Sequence, residues 1–255
     1  SLWLLALLLC SAVATAANKP AGAGIASANK QATAAGFEIL SQGGNAFDAA
    51  VAVSAALSVV EPESSGLGGG GFFLLYRNDG QAVFVDAREK APLAATRDMY
   101  LDADGNAQRE RSVNGPLAAG IPGLPAGLVL VAERYGKLPL SKSLAPAIRL
   151  ARKGFVWSAK NAAMIGWRSE QLAKSPAAAK IYLKGGKAPT LGQRVVNPDI
   201  ARVLERLAAG GHAGFYAGAT ARDLVTGVRA AGGIWTLEDL AQYQAIERQP
   251  LRFRY

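Results

Sequence analysis

The sequence is short of cysteine and histidine, the residues that staple a fold or ligate a transition metal. Its one cysteine, Cys10, sits in an apolar run near the N-terminus, and its one histidine is His212. A single cysteine excludes a disulfide scaffold, and a single histidine cannot build a metal centre alone. The same shortage argues against Ser-His-Asp catalysis, because Ser64-Ser65 has no histidine or acid at useful spacing. His212 lies between Gly211 and Ala213 in a glycine-rich turn and reads as a surface residue. Charged residues are only 18% of the chain and hydrophobic ones 50%, which excludes disorder and a long coiled coil. No apolar stretch reaches membrane-spanning length. Residues 2–10 form a run of nine, and the next run, 46–60, carries Asp48 and stops at Glu61-Pro62.

What is present is enough apolar material, in 255 residues, for one large domain or two small ones. The run at 2–10 (LWLLALLLC) is followed by small residues, and Ala14-Thr15-Ala16 fits a signal-peptidase site before Ala17. Residues 1–16 are therefore expected to be a secretory signal peptide, clipped at its N-terminus because it has no initiator Met and no basic segment. A lipoprotein reading through Cys10 is weaker, since Leu9 is bulky where such sites need a small residue. Cleavage after Ala16 leaves a mature chain without cysteine, compatible with an oxidising compartment. The Ala- and Arg-rich composition suggests a bacterial source, so a periplasmic or secreted location is expected.

The net charge is +9, and it is uneven. Between Arg134 and Arg194 there are thirteen Lys/Arg and one acid, Glu170, so this segment alone carries +12. A nucleic-acid binder could have that profile. However, the basic residues recur every four to five positions among Ala, Leu and Ile, without interleaved aromatics or a recognition motif. That pattern favours a solvated helical face, with no nucleic-acid partner.

Along the chain, residues 31–41 read as a helix stopped by Gly43-Gly44. Asn45 then caps a second helix to about Val60, with Asp48 placed to complete a capping box, and the helix is apolar nearly all round, so it should be buried. Residues 61–71 (EPESSGLGGGG) are a loop. Residues 72–77 and 81–86, joined by Asn78-Asp79-Gly80, predict a hairpin of two core strands. Residues 102–106 (DADGN) are turn-like. They begin like a calcium loop but lack its glycine at position six and its acid at position twelve, so no metal is expected. Further helices are predicted over 124–135, 143–153, from Pro198 to Gly210-Gly211, and over 220–231, with a short one opening at Thr236. A last strand is predicted over 250–255.

The glycine cluster at 66–71 lacks a Gly-Lys-Ser/Thr ending and precedes a strand, so it does not read as a phosphate loop. Arg88 follows a core strand, where it should be held rigidly with restricted solvent. A guanidinium in such a pocket suits bidentate recognition of a carboxylate, while an ion pair with Asp86 or Glu89 would explain it equally well.

Several motifs occur together and in order. They are Ser27-Ala28-Asn29, Gly43-Gly44-Asn45-Ala46-Phe47-Asp48-Ala49-Ala50, Val60-Glu61-Pro62-Glu63-Ser64-Ser65 with the glycines to Phe72, and Asp86-Ala87-Arg88-Glu89-Lys90-Ala91-Pro92. Later ones are Gly120-Ile121-Pro122-Gly123, Tyr135-Gly136-Lys137-Leu138-Pro139, Gly214-Phe215-Tyr216-Ala217-Gly218, and Gly232-Gly233 through Asp239-Leu240 to Tyr243. The set resembles the gamma-glutamyltransferase (gamma-glutamyltranspeptidase) family from about residue 24 to 255.

The resemblance implies an α/β (α+β) N-terminal-nucleophile hydrolase fold, an αββα sandwich, of which residues 17–255 would be an incomplete, large-subunit part. It implies a precursor that cuts itself, and a small subunit whose new N-terminal threonine attacks a gamma-glutamyl amide such as glutathione. Water or an amino-acid or peptide acceptor then resolves the acyl-enzyme. No processing motif occurs here. Thr190, Thr220, Thr226 and Thr236 lie outside any such context, so the nucleophile is expected beyond Tyr255 and this piece alone should be inactive. One role carries over by motif: Arg88 matches the arginine that grips the substrate α-carboxylate, with Glu89 orienting it. No cofactor, metal or membrane span is implied. A glutaryl- or cephalosporin-type acylase, a poly-gamma-glutamate hydrolase, or a non-catalytic scaffold homologue would share these features.

Overall fold

The structure, a computed structural model, describes residues 22–254. The expected signal peptide, its cleavage site and Cys10 lie outside the described residues.

Two capped helices open the fold. In α1 (Lys30–Ser41), the Asn29 side chain accepts from Gln31 N. In α2 (Ala46–Val60), Asn45 and Asp48 form the expected capping box. Asp48 does more than cap. It is fully buried, and its carboxylate also accepts from Lys137 N at 2.9 Å and Leu138 N at 3.2 Å. Asn45 Nδ2 donates to Tyr135 O at 2.7 Å. The start of α2 is thereby bolted to a turn about 90 residues later in the chain.

The hairpin follows as β1 (Gly71–Tyr76) and β2 (Ala82–Ala87), paired antiparallel from Gly71↔Ala87 to Tyr76↔Ala82. A short helix α3 (Arg109–Val113) and a 3-10 turn (Pro116–Ala118) lead to α4 (Leu124–Tyr135), which ends at Gly136 as expected. The next helix, α5 (Leu140–Lys153), starts directly after Pro139, a turn earlier than the polar Ser143 suggested. The fixed φ of Pro139 already suits a helix entry. Beyond it come β3 (Phe155–Val156), α6 (Ala159–Trp167), α7 (Ser169–Ala173), α8 (Pro176–Tyr182) and β4 (Arg194–Val195), which pairs with β3. The last elements are α9 (Pro198–Tyr216), α10 (Gly218–Ala230), α11 (Leu237–Ala241) and β5 (Ile246–Arg248). Regular geometry in α9 breaks at Gly211, where the glycine pair placed its end.

The final strand differs from expectation. It is Ile246–Arg248 rather than 250–255, and it pairs antiparallel with β2 at Phe84–Asp86. Pro250 has no N–H to continue a ladder, so the chain leaves the sheet just before it.

α2 and α5 form the centre of a helical layer, packed by α1, α4 and α9. Val51, Ala52, Ala55, Ala56, Leu144, Ala147, Leu204 and Leu207 are fully buried there. The small side chains of α2 let the helices approach closely. The sheet order is β1-β2-β5, and α4 packs on β1 and β2. Phe73, Leu75, Val85 and Ala87 are the buried side chains of the hairpin. The alternate residues Phe72, Leu74 and Tyr76 are 55%, 68% and 73% exposed. The described chain is thus α+β, with one helical layer, a three-stranded sheet whose outer face is apolar and open, and a separate two-stranded sheet of β3 and β4. No helix among the described residues is long and apolar enough to cross a membrane.

The basic segment does form exposed helices, and several of its cations meet acids from outside it. Arg134 pairs with Glu247, Arg149 with Glu38, Arg152 with Glu205, Lys160 with Glu61 and Lys174 with Glu110.

Asp48→Ala strips the acceptor from three backbone N–H groups at a junction of α2, α4 and α5. It should cost about 3 kcal/mol or more in chemical denaturation, with Asp48→Asn recovering part of the loss. A loss under about 0.5 kcal/mol would show the turn to be held by other contacts.

Candidate functional site

The site grows from the exit of β2. Ala87-Arg88-Glu89 passes between two glycines from different loops. A Cβ on Gly70 would lie 2.6 Å from Ala87 O and 2.7 Å from Glu89 Oε2. A Cβ on Gly123 would lie 2.1 Å from Ala87 O. Neither position can carry any other residue without moving backbone. The neighbouring Gly69 carbonyl accepts from Gly123 N at 2.9 Å and Leu124 N at 3.0 Å, capping α4 without a side chain. The glycine-rich loop is therefore a packing element, wedged between the Arg88 strand end and the start of α4.

Both ends of the Arg88 residue are held. Arg88 N donates to Asp86 Oδ1 at 3.0 Å. Tyr243 Oη, from the segment after α11, donates to Arg88 O at 2.7 Å. Asp86 is itself held by Arg248 Nε of β5 at 2.8 Å. The guanidinium has one partner, with Arg88 Nε 3.2 Å from the Glu89 carboxylate. Its terminal Nη1 and Nη2 have no partner among the described residues.

One expectation needs correcting. Arg88 was expected to have restricted solvent, but its side chain is 68% exposed. The slot grips the backbone, while the guanidinium leaves from the open side. Rigidity at this position comes from main-chain packing, not from burial of the side chain.

His212 also departs from expectation. It is half-buried, stacks on Tyr216 with ring centres 4.3 Å apart, and donates from Nε2 to Tyr243 O at 2.8 Å. Tyr216 in turn stacks on Tyr243 at 5.3 Å and 8°. The Lys90 ammonium lies 5.1 Å from the Tyr243 ring centre. The lone histidine is thus one end of an aromatic ladder that leads to Arg88. The sequence marked Asp239-Leu240 and Tyr243 only as part of a motif, and a contact 155 residues away left no local signal.

The threonines hold structural posts or lie exposed. Thr220 Oγ1 donates to Gly214 O, Thr236 caps α11 with Asp239, and Thr190 and Thr226 are exposed. Asp102 organises its own turn by accepting from Asp104 N and Asn106 N. Among the described residues, no group of three or more His, Cys, Asp or Glu is arranged to hold a metal.

The Arg88 N–H, aided by Arg248, holds the Asp86 carboxyl below its ordinary 3.8 against the opposing effect of burial. A carboxyl depressed in the folded state stabilises the protein above the unfolded pKa and loses that contribution as pH falls through the folded one. Asp86→Asn should therefore lower stability at neutral pH, and its deficit should shrink below about pH 4 in acid titration of the melt. A deficit unchanged across that range would remove Asp86 as a charge holding Arg88. Gly70→Ala should cost about 1–3 kcal/mol through overpacking against Ala87 and Glu89. A thermal melt as high as the parent's would contradict the slot.

The chain matches the family model described as gamma-glutamyltranspeptidase over residues 32–255. It is 42% identical over 247 residues to a glutathione hydrolase proenzyme of Pseudomonas sp. (strain A14), covering 95% of this chain and 43% of that protein. It is 39% identical over 230 residues to an Acylase ACY 1 proenzyme of Pseudomonas sp. (strain SE83), covering 88% and 41% respectively. The structure superposes on the crystal structure of Helicobacter pylori gamma-glutamyltranspeptidase with a TM-score of 0.89 and 38% identity, covering 91% of this chain and 67% of that one. The chain spans about two fifths of the length of the curated relatives it matches. With a match over nearly its whole length and a superposable fold, the chain belongs to the gamma-glutamyltranspeptidase family.

Proposed function

We propose that this chain is the large-subunit part of a glutathione hydrolase or gamma-glutamyltransferase, and that Arg88 binds the α-carboxylate of the gamma-glutamyl donor. The observation that carries the reading is the free fork of Arg88. Its backbone is fixed, its Nε edge is turned to Glu89, and its terminal Nη pair is open. That pair matches the two oxygens of a carboxylate, and a bidentate contact fixes orientation as well as position.

With the carboxylate anchored, the gamma-amide lies a fixed glutamyl length away, where an attacking hydroxyl has to stand. Thr190, Thr220, Thr226 and Thr236 are structural or exposed, and none of them is read in that role. The nucleophile is assigned to a small subunit released from the same precursor, in keeping with the proenzyme names of the relatives. The hydroxyl oxygen bonds to the carbonyl carbon of the gamma-amide, the C–N bond breaks and the amine leaves with the hydroxyl's proton, and water or an acceptor amine then takes the glutamyl group from the ester and restores the hydroxyl. The open apolar face of Phe72, Leu74 and Tyr76 gives a second sheet a surface to pack on, which supports a two-sheet sandwich in the whole protein. The same face should make this piece poorly soluble by itself. Residues 1–16 would direct the precursor to the periplasm or out of the cell.

The 39% identity to an acylase proenzyme favours one second reading, with a glutaryl-type donor. Such a donor keeps the distal carboxyl and lacks the α-amino group, so Arg88 would serve either substrate.

Arg88→Ala in the full-length protein should raise KM for a gamma-glutamyl anilide by a factor corresponding to about 2 kcal/mol or more, roughly 30-fold. Arg88→Lys should also raise it, since an ammonium lacks the fork. An unchanged KM in both variants would overturn the assignment. Parallel assays with gamma-glutamyl and glutaryl anilides separate the two donor classes, and absence of self-cleavage would point to a non-catalytic homologue.

A further inference from the structure

We propose that Tyr243 is a positioning residue for substrate binding: its hydroxyl locks the Arg88 peptide so that the guanidinium fork meets the donor carboxylate in one orientation. The inference rests on the reading of Arg88 as the carboxylate-binding residue.

Arg88 has a mobility problem. Its side chain is 68% exposed and carries one ion pair, with Glu89. An exposed ion pair of this kind is worth little and holds orientation poorly. The fork can be presented reproducibly only if the backbone from which the side chain swings is fixed. A small rotation of that peptide is magnified along the side chain, and displacements of about 1 Å at a binding group cost up to about a hundredfold in rate.

Tyr243 supplies the fixing contact at the carbonyl end, and it is itself tightly held. It is 1% exposed. Its ring is stacked on Tyr216, its face meets the Lys90 ammonium, and its carbonyl receives His212 Nε2. Burial, with the carboxylates of Asp86 and Glu89 nearby, pushes its hydroxyl up to about 12, so it remains a donor across the working pH range. Gly123 keeps the path open, since a Cβ there would stand 2.3 Å from Tyr243 Oη.

The neighbouring tyrosine makes a useful contrast. Tyr216 Oη donates to Pro122 O at 2.8 Å and accepts from Ala126 N at 3.2 Å. Its hydroxyl holds the entry to α4. In one stack, then, one hydroxyl serves a helix start and the other serves Arg88.

The test is steady-state kinetics of full-length Tyr243→Phe, Tyr216→Phe and Arg88→Lys with a gamma-glutamyl anilide. Tyr243→Phe keeps the ring stack and removes one hydrogen bond. It should raise KM about fivefold or more with kcat within about twofold, and weaken competitive inhibition by free glutamate in parallel. Tyr216→Phe should lower the melting temperature and leave KM unchanged. If Arg88→Lys raises KM while Tyr243→Phe behaves like Tyr216→Phe, the positioning role is wrong and the reading of Arg88 stands. If Arg88→Lys leaves KM unchanged, the reading of Arg88 fails and the positioning role fails with it. Should Tyr243→Phe not accumulate, Asp86→Ala frees the other end of the same residue and carries the same test: a raised KM supports the clamp and an unchanged KM overturns it.

Discussion

The structure depends on a steric constraint at one place: the backbone of residues 87–89 runs where two other loops leave no room for a Cβ. Gly70 and Gly123 come from segments 53 residues apart, yet a Cβ on either would collide with Ala87 O. Close backbone packing of this kind is stiff, because main chain cannot rotate away as a flexible side chain can. Once the strand end is pinned there, the Gly69 carbonyl can cap α4, and α4 can lie on the hairpin. The glycines of this loop are what allow a sheet, a helix start and the Arg88 backbone to meet.

The second fixed point is Asp48, which joins the helical layer to the same helix. The carboxylate closes the capping box of α2 and receives two N–H groups from the turn after α4. α4 is therefore fixed at both ends, by Gly69 at its start and by Asp48 and Asn45 beyond its end. The Arg88 backbone, anchored to the start of α4, inherits the rigidity of the whole helical layer.

Local rules made much of this legible from residues alone. Asn45 with Asp48, Asn197 with Pro198, and Thr236 with Asp239 each announce a helix start within four residues, and each is one. The glycine stops at 136 and 211 were readable for the same reason. What failed was long-range. His212 between small residues looked like surface, because nothing nearby shows that Tyr216 and Tyr243 will stack beside it. The late strand was placed at 250–255, although pairing with β2 is set by tertiary register and ends before Pro250. Arg88 was singled out through its motif, but its exposure was misjudged because position after a core strand says where a backbone goes, not what covers the side chain.

That exposure changes how Arg88 has to work. In water, the Glu89 pair is weak and the guanidinium is well solvated, so a free carboxylate gains little by binding there. If a second layer covers the open sheet face and this edge, the local dielectric falls and each charge contact strengthens. Glu89 then matters for two reasons. It keeps one charge partner on Arg88 in the empty site, so that covering it does not bury a lone cation. It also occupies the Nε edge, which would leave only the end-on fork for the proposed carboxylate. A carboxylate entering that fork completes the planar recognition of a cation whose backbone is already immobile, and little ordering remains to be done on binding. Affinity would then be set by the stiffness of residues 87–89 as much as by the charge they carry.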